Sequence, residues 1–274
     1  MIAHVGRARI QPSTKLKAPC RLAIAGMFLG LLPVWPATPV HQPYLQNMRP
    51  DRATVVWSTR ENQAGELRYS TDSKLANYTS IPFAGGQRFA TAVTRMANDF
   101  YQYRAYLTGL SPSTVYYYQI LMNGQDITTD GGRQFKTPDF AGPFQFLVYG
   151  DSGAGTPEQG FVLQQMLKEQ PDLVLHVGDI AYENGTYDEF TTNHFGVYFS
   201  MMKHLPFFPC PGNHEYYTNF AAPYLALHAP PTDTVPDGDL GRYYSYDWNG
   251  VHFVALDANL LDTTGDPITM LRSH

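Results

Sequence analysis

Phe146-Leu147-Val148-Tyr149-Gly150-Asp151-Ser152-Gly153 opens the stretch, residues 144–215, whose reading decides the fold. Two further apolar runs inside it close in the same way. Leu173-Val174-Leu175-His176-Val177 leads into Gly178-Asp179-Ile180-Ala181-Tyr182, and Pro206-Phe207-Phe208-Pro209-Cys210 leads into Pro211-Gly212-Asn213-His214-Glu215. In an open α/β sheet, ligands bind in the crevice beyond the carboxyl ends of the strands, so three such endings predict one shared site. Between the first two runs, Thr156-Pro157-Glu158-Gln159 has a capping-box spacing with proline at the first helical position. Val162, Leu163, Met166 and Leu167 then predict an apolar helix face that stops before Pro171. With a second helix over about 187–204, the order strand, helix, strand, helix, strand implies a parallel sheet with right-handed crossovers. Further on, Trp248-Asn249-Gly250 between two alternating runs predicts a hairpin.

Upstream the period changes. Over residues 38–138, Ala53-Thr54-Val55-Val56-Trp57-Ser58, Gly65 to Ser70, Tyr101 to Leu107 and Thr114 to Ile120 are short alternating runs separated by turns, with no helical period. They predict a small antiparallel sandwich, and the Leu-Ser-Pro-Ser-Thr-Val-Tyr-Tyr-Tyr run at 110–118 resembles the corner and strand of fibronectin type III domains. A Pro/Gly joint, Thr137-Pro138-Asp139-Phe140-Ala141-Gly142-Pro143, separates this part from the second, residues 143–274.

Residues 1–37 read as a secretory signal or an N-terminal anchor: five Lys and Arg with no acid, then an apolar run from Leu22 to Trp35, short for a membrane span. Losing that segment removes five cations and no acid, taking the formal charge from −5 to −10. Such an acidic protein argues against a nucleic-acid partner, and the leader places it outside the cell, or in the periplasm of a bacterium, without stable membrane association once it is cleaved. With Cys20 in the leader and Cys210 in an apolar strand, no disulfide framework is available.

Asp151, Asp179, Tyr182 and Asn213 form an oxygen-rich donor set suited to a hard cation rather than to zinc in a thiolate cage. A carboxylate shared between two ions would hold them roughly 3.5–4 Å apart, the clamp used on a phosphoryl group.

The three blocks Gly150-Asp151-Ser152-Gly153, Gly178-Asp179-Ile180-Ala181-Tyr182 and Gly212-Asn213-His214-Glu215 resemble the first three of five motif blocks of purple acid phosphatases, within the calcineurin-like metallophosphoesterases. The resemblance implies an α/β fold, a metallophosphoesterase-type β-sandwich flanked by helices, preceded by an all-β fibronectin type III-like domain. It also implies Asp151 and Tyr182 on a ferric ion, Asp179 bridging, Asn213 on a divalent ion (Zn, Mn or Fe), and His214 as the catalytic histidine that binds phosphate and assists the leaving group. The implied reaction is hydrolysis of phosphomonoesters by a metal-bound hydroxide; a homodimer stays open as the assembly. The family's Val-x-x-His and Gly-His-x-His blocks are absent from the sequence. The expectation is therefore a catalytic domain represented by its N-terminal half, a fragment or truncated reading frame with little activity of its own. A related phosphodiesterase or nucleotide pyrophosphatase, or a non-catalytic secreted binding protein on the same scaffold, are the other readings.

The remaining histidines divide. His176 and His252 read as structural, whereas His194 and His204 lie where family members can place substrate-facing histidines. Cys210 reads as a small buried apolar residue.

Overall fold

The computed structural model describes residues 36–89, 99–128, 133–236 and 240–259. Expectations for residues 1–35 and for the tail after 259 lie outside these residues. Among those described, no helix is long and apolar enough to cross a membrane.

The N-terminal part is a β-sandwich. Its strands are β1 (Pro39–Arg49), β2 (Arg52–Thr59), β3 (Gly65–Ser70), β4 (Thr79–Phe83), β5 (Gln87–Phe89), β6 (Phe100–Thr108), β7 (Val115–Met122), β8 (Gln125–Asp126) and β9 (Gln134–Lys136). One sheet runs β1-β2-β6-β5 and the other β4-β3-β7-β8, with β9 on β7. Inward residues of both sheets, among them Val55, Trp57, Leu67, Tyr103, Ile120 and Phe135, share one core, with the Trp57 and Tyr103 rings stacked 5.2 Å apart. Alternation on β7 puts Tyr116, Tyr118, Ile120 and Met122 inside, as its sequence predicts.

β2 departs from that expectation. Its residues 53–59 are all buried, because β1 and β2 are covered on their second face as well. Tyr44 and Val56 belong to a second core with Phe195, Tyr198, Phe207 and Tyr224 from the C-terminal part. Two of the polar groups trapped there are paired: His41 sits between Ser58 Oγ (3.0 Å) and Thr191 Oγ1 (2.8 Å), and Tyr44 donates to the Leu227 carbonyl.

The C-terminal part holds three parallel strands, β10 (Phe146–Tyr149), β11 (Leu173–His176) and β12 (Phe207–Pro209), in that order. α1 (Pro157–Met166) links the first two. α2 (Tyr187–Glu189), a π-helical turn (Phe190–Phe195) and α3 (Gly196–Met202) form one helical run between the second and third. α4 (Asn213–Tyr216), α5 (Ala222–Leu227) and the hairpin of β13 (Tyr244–Trp248) and β14 (Val251–Ala255) follow. Trp248 pairs with Val251 across Asn249 and Gly250, both with positive φ, the backbone a two-residue hairpin loop requires.

Two expectations for α1 are corrected. Thr156 occupies the N-cap with extended backbone, but its side chain makes no capping hydrogen bond; Gln159 instead accepts from the Gly155 amide at 3.0 Å. The buried stripe is Gln159, Leu163 and Met166, one residue per turn, while Val162 and Leu167 are exposed. β10 also differs from a parallel strand covered on both faces, since Phe146 and Val148 remain about half exposed. Val177, Val254 and Leu256 are exposed as well.

Candidate functional site

The loops that follow β10 and β11 are held in register by backbone hydrogen bonds. Asp151 N–H donates to the Gly178 carbonyl (3.1 Å), Ser152 N–H to Asp179 (3.2 Å), and Tyr182 N–H to Gly153 (2.9 Å). The glycines serve mainly close approach. A Cβ on Gly153 would sit 1.8 Å from the Ile180 carbonyl oxygen, and one on Gly212 2.1 Å from Asp179 Oδ1. The positive φ falls largely on the acids themselves, at 51° for Asp151 and 55° for Asp179. Backbone strain of this kind persists only where the surroundings hold it, and it collects at functional sites.

The structure brings Asp151, Asp179 and Tyr182 together. The Tyr182 hydroxyl lies 2.8 Å from Asp151 Oδ1 and 3.1 Å from Asp179 Oδ2, one proton facing two carboxylate acceptors. Burial first, then the hydrogen bond to Asp151 and the charge of Asp179, push the phenol pKa up. A cation among these oxygens would reverse that electrostatic preference.

Asn213 and His214 open α4 beside them. His214 donates its backbone N–H to Asp179 Oδ1 (3.2 Å), and its ring stands edge-on to Tyr182 with centroids 4.4 Å apart. His214 Nδ1 lies 2.6 Å from the Glu183 carbonyl oxygen. The Asn213 amide nitrogen donates to the Tyr217 hydroxyl at 3.1 Å, an orientation that leaves Oδ1 as its metal-capable atom.

Sequence reasoning missed the residue that ties these loops together. Glu215, fully buried, accepts from the amides of Asp179 (3.0 Å), Ile180 (2.8 Å), Ala181 (3.1 Å) and Gly212 (2.7 Å). Burial raises its pKa, opposed by the hydrogen bonds from the Gly212, Ala181 and Ile180 amides. The available signal was its position three residues after Gly212, the spacing of a helix N-terminal carboxylate. A second missed signal is Thr186-Tyr187-Asp188-Glu189, a capping box that does form, with Glu189 N–H on Thr186 Oγ1 at 3.2 Å.

His176 is structural in the described fold. Gly178 N–H donates to its Nδ1 (3.2 Å), so Nε2 carries the proton and donates to Ser152 Oγ (2.9 Å). His194 is completely buried among aromatic rings, and His204 Nδ1 lies 3.0 Å from the Gln134 carbonyl oxygen on the sandwich, so neither faces the site. His252 pairs with Asp247 on the hairpin at 2.7 Å. Cys210 is only partly buried, unlike its expectation, and burial pushes its thiol pKa up to about 11.

Whether these residues fit a metal centre depends on the ion. Two carboxylates and a phenol in mutual contact suit one hard cation. Among the described residues, no group of three or more His, Cys, Asp or Glu could complete a shell from those residue types.

Comparison with known proteins gives a consistent result. Residues 144–270 match the calcineurin-like phosphoesterase family model, and residues 40–137 match that of the purple acid phosphatase N-terminal domain. Acid phosphatase type 7 of Danio rerio is 27% identical over 218 residues, covering 71% of this chain and 45% of the relative. Purple acid phosphatase 21 of Arabidopsis thaliana is 27% identical over 205 residues, covering 69% and 45%. Purple acid phosphatase PPD1 from yellow lupin seeds superposes with a TM-score of 0.65 at 18% identity, over 86% of this chain and 48% of that one. The chain thus spans about half the length of the curated relatives it matches. With both family models on one polypeptide and the fold in agreement, the chain belongs to the purple acid phosphatase branch of the calcineurin-like phosphoesterases.

Proposed function

We propose that this chain carries part of a metal-dependent acid phosphatase site for phosphomonoesters. Asp151 and Tyr182 would hold a ferric ion, Asp179 would bridge, and Asn213 would serve a divalent ion. The observation that supports this is the meeting of two carboxylates with the Tyr182 phenol at the ends of β10 and β11. Bound cations supply charge neutralisation for the phosphate and a more acidic water. His214, against the phenol, would bind phosphate and serve the leaving oxygen. The sequence contains neither Val-x-x-His nor Gly-His-x-His, so the proposal includes little or no turnover by residues 1–274 alone. The basic and apolar leader supports a protein that works outside the cytoplasm.

Adding Fe(III) to the purified chain should raise a visible tyrosinate-to-iron absorption band that Tyr182→Phe abolishes, while aryl phosphate hydrolysis stays at background. A band that survives Tyr182→Phe would overturn the ligand assignment. Two tightly held metals per chain with steady turnover would overturn the proposed inactivity.

A further inference from the structure

We propose that Glu189 is a positioning residue for His214: through the main chain of Glu183 it fixes the proton of the neutral imidazole on Nδ1 and leaves Nε2 as the ring nitrogen open to a ligand. A carbonyl oxygen can only accept, so the 2.6 Å contact between His214 Nδ1 and the Glu183 carbonyl requires an N–H at Nδ1. The question is what holds that carbonyl. Glu189 Oε1 takes the Glu183 amide at 2.6 Å, and Oε2 takes the amides of Asn184 at 3.1 Å and Thr186 at 2.8 Å and the Thr186 hydroxyl at 2.9 Å.

The Asn184 N–H and the Glu183 carbonyl belong to one planar peptide unit, in which the two groups point in opposite directions. Holding that N–H on Glu189 therefore turns the carbonyl oxygen away from Glu189 and onto His214. Thr218 Oγ1 secures the next carbonyl, that of Asn184, at 2.6 Å. Gly185 lies so close over α4 that a Cβ there would come within 2.6 Å of Glu215 Cα. The ring itself is held between Tyr182 and Tyr217, at centroid distances of 4.4 and 5.0 Å. Free histidine favours the opposite, Nε2–H form, so the fold selects the minor tautomer. The inference rests on the phosphatase reading only for the use of Nε2, the nitrogen that would meet phosphate or leaving oxygen.

The test is the tautomer itself, read without metal or substrate. Two-bond proton–nitrogen correlation spectra of the ¹⁵N-histidine-labelled chain, with chelator at alkaline pH and His214 assigned by His214→Gln, should show the Nδ1–H pattern for His214. Glu189→Ala should move that residue alone toward the Nε2–H pattern. An Nε2–H pattern in the parent chain, or an unchanged Nδ1–H pattern in Glu189→Ala, would overturn the proposal. If circular dichroism shows that the alanine variant has lost its fold, Glu189→Gln replaces it; a smaller shift in the same direction is expected, and no shift counts against the proposal. Because no metal or phosphate ester enters the experiment, its failure leaves the phosphatase reading standing, and failure of that reading leaves the tautomer in place.

Discussion

At Glu215 one buried carboxylate answers four backbone donors, three from the loop after β11 and one from the loop after β12. Its two oxygens divide the work: Oε1 serves Ile180 and Ala181, and Oε2 serves Asp179 and Gly212. Glutamine keeps one acceptor oxygen and turns an NH₂ group toward two N–H donors, so at least two buried amides lose their partner. Each such loss costs about 1–3 kcal/mol. Glu215→Gln should therefore lower stability by about 3 kcal/mol in urea unfolding. An effect below about 1 kcal/mol would show that the loops are held by other contacts.

Capping boxes at two helix starts behave differently although their sequences look alike. Thr156-Pro157-Glu158-Gln159 has the spacing, yet the Thr156 side chain makes no cap hydrogen bond and Gln159 reaches back to Gly155 instead. Thr186-Tyr187-Asp188-Glu189 forms the reciprocal pair, and its glutamate also gathers the amides of Glu183 and Asn184. Removing a working N-cap hydroxyl costs about 1 kcal/mol. In urea denaturation Thr186→Ala should lose about that much, and Thr156→Ala less than about 0.5 kcal/mol. Equal losses would mean the two starts are alike in solution. Spacing identifies where a cap can form; whether the hydroxyl turns inward depends on what the loop before it touches.

Across the molecule, the sandwich and the parallel strands share a core that carries buried histidines. His41, His176 and His228 are buried, and desolvation first of all holds each pKa down to about 3. Arg60 and His228 add to the effect at His41, His228 adds at His176, and at His228 Arg104 lowers the pKa while the Tyr224 carbonyl opposes. His194, in the same cluster, is held well below its ordinary value by burial and by these three neighbours. The unfolded chain takes up protons near pH 6.5 where the folded chain does not, so stability is present above that pH and falls as the pH drops toward 3. At pH 5.5 each of the three costs about 1.4 kcal/mol, together about 4 kcal/mol, a large share of an ordinary domain's stability. Urea midpoints should therefore fall steadily from pH 7.5 to 5.5, and a midpoint that rises on acidification would contradict the buried neutral cluster.

Local chemistry was legible in the chain: glycine-bracketed acids after apolar runs, an Asn-Gly hairpin, and the change from period two to strand–helix alternation near residue 140. These follow from backbone sterics and side-chain period, which act within a few residues. What the tertiary structure decided depends on groups distant in sequence. Only folding shows that both faces of β2 are buried, that Glu215 rather than a glycine joins the two loops, and that His194 lies in the core. Burial and hydrogen-bond partnership belong to the packed whole; a sequence specifies them, but its local pattern does not display them.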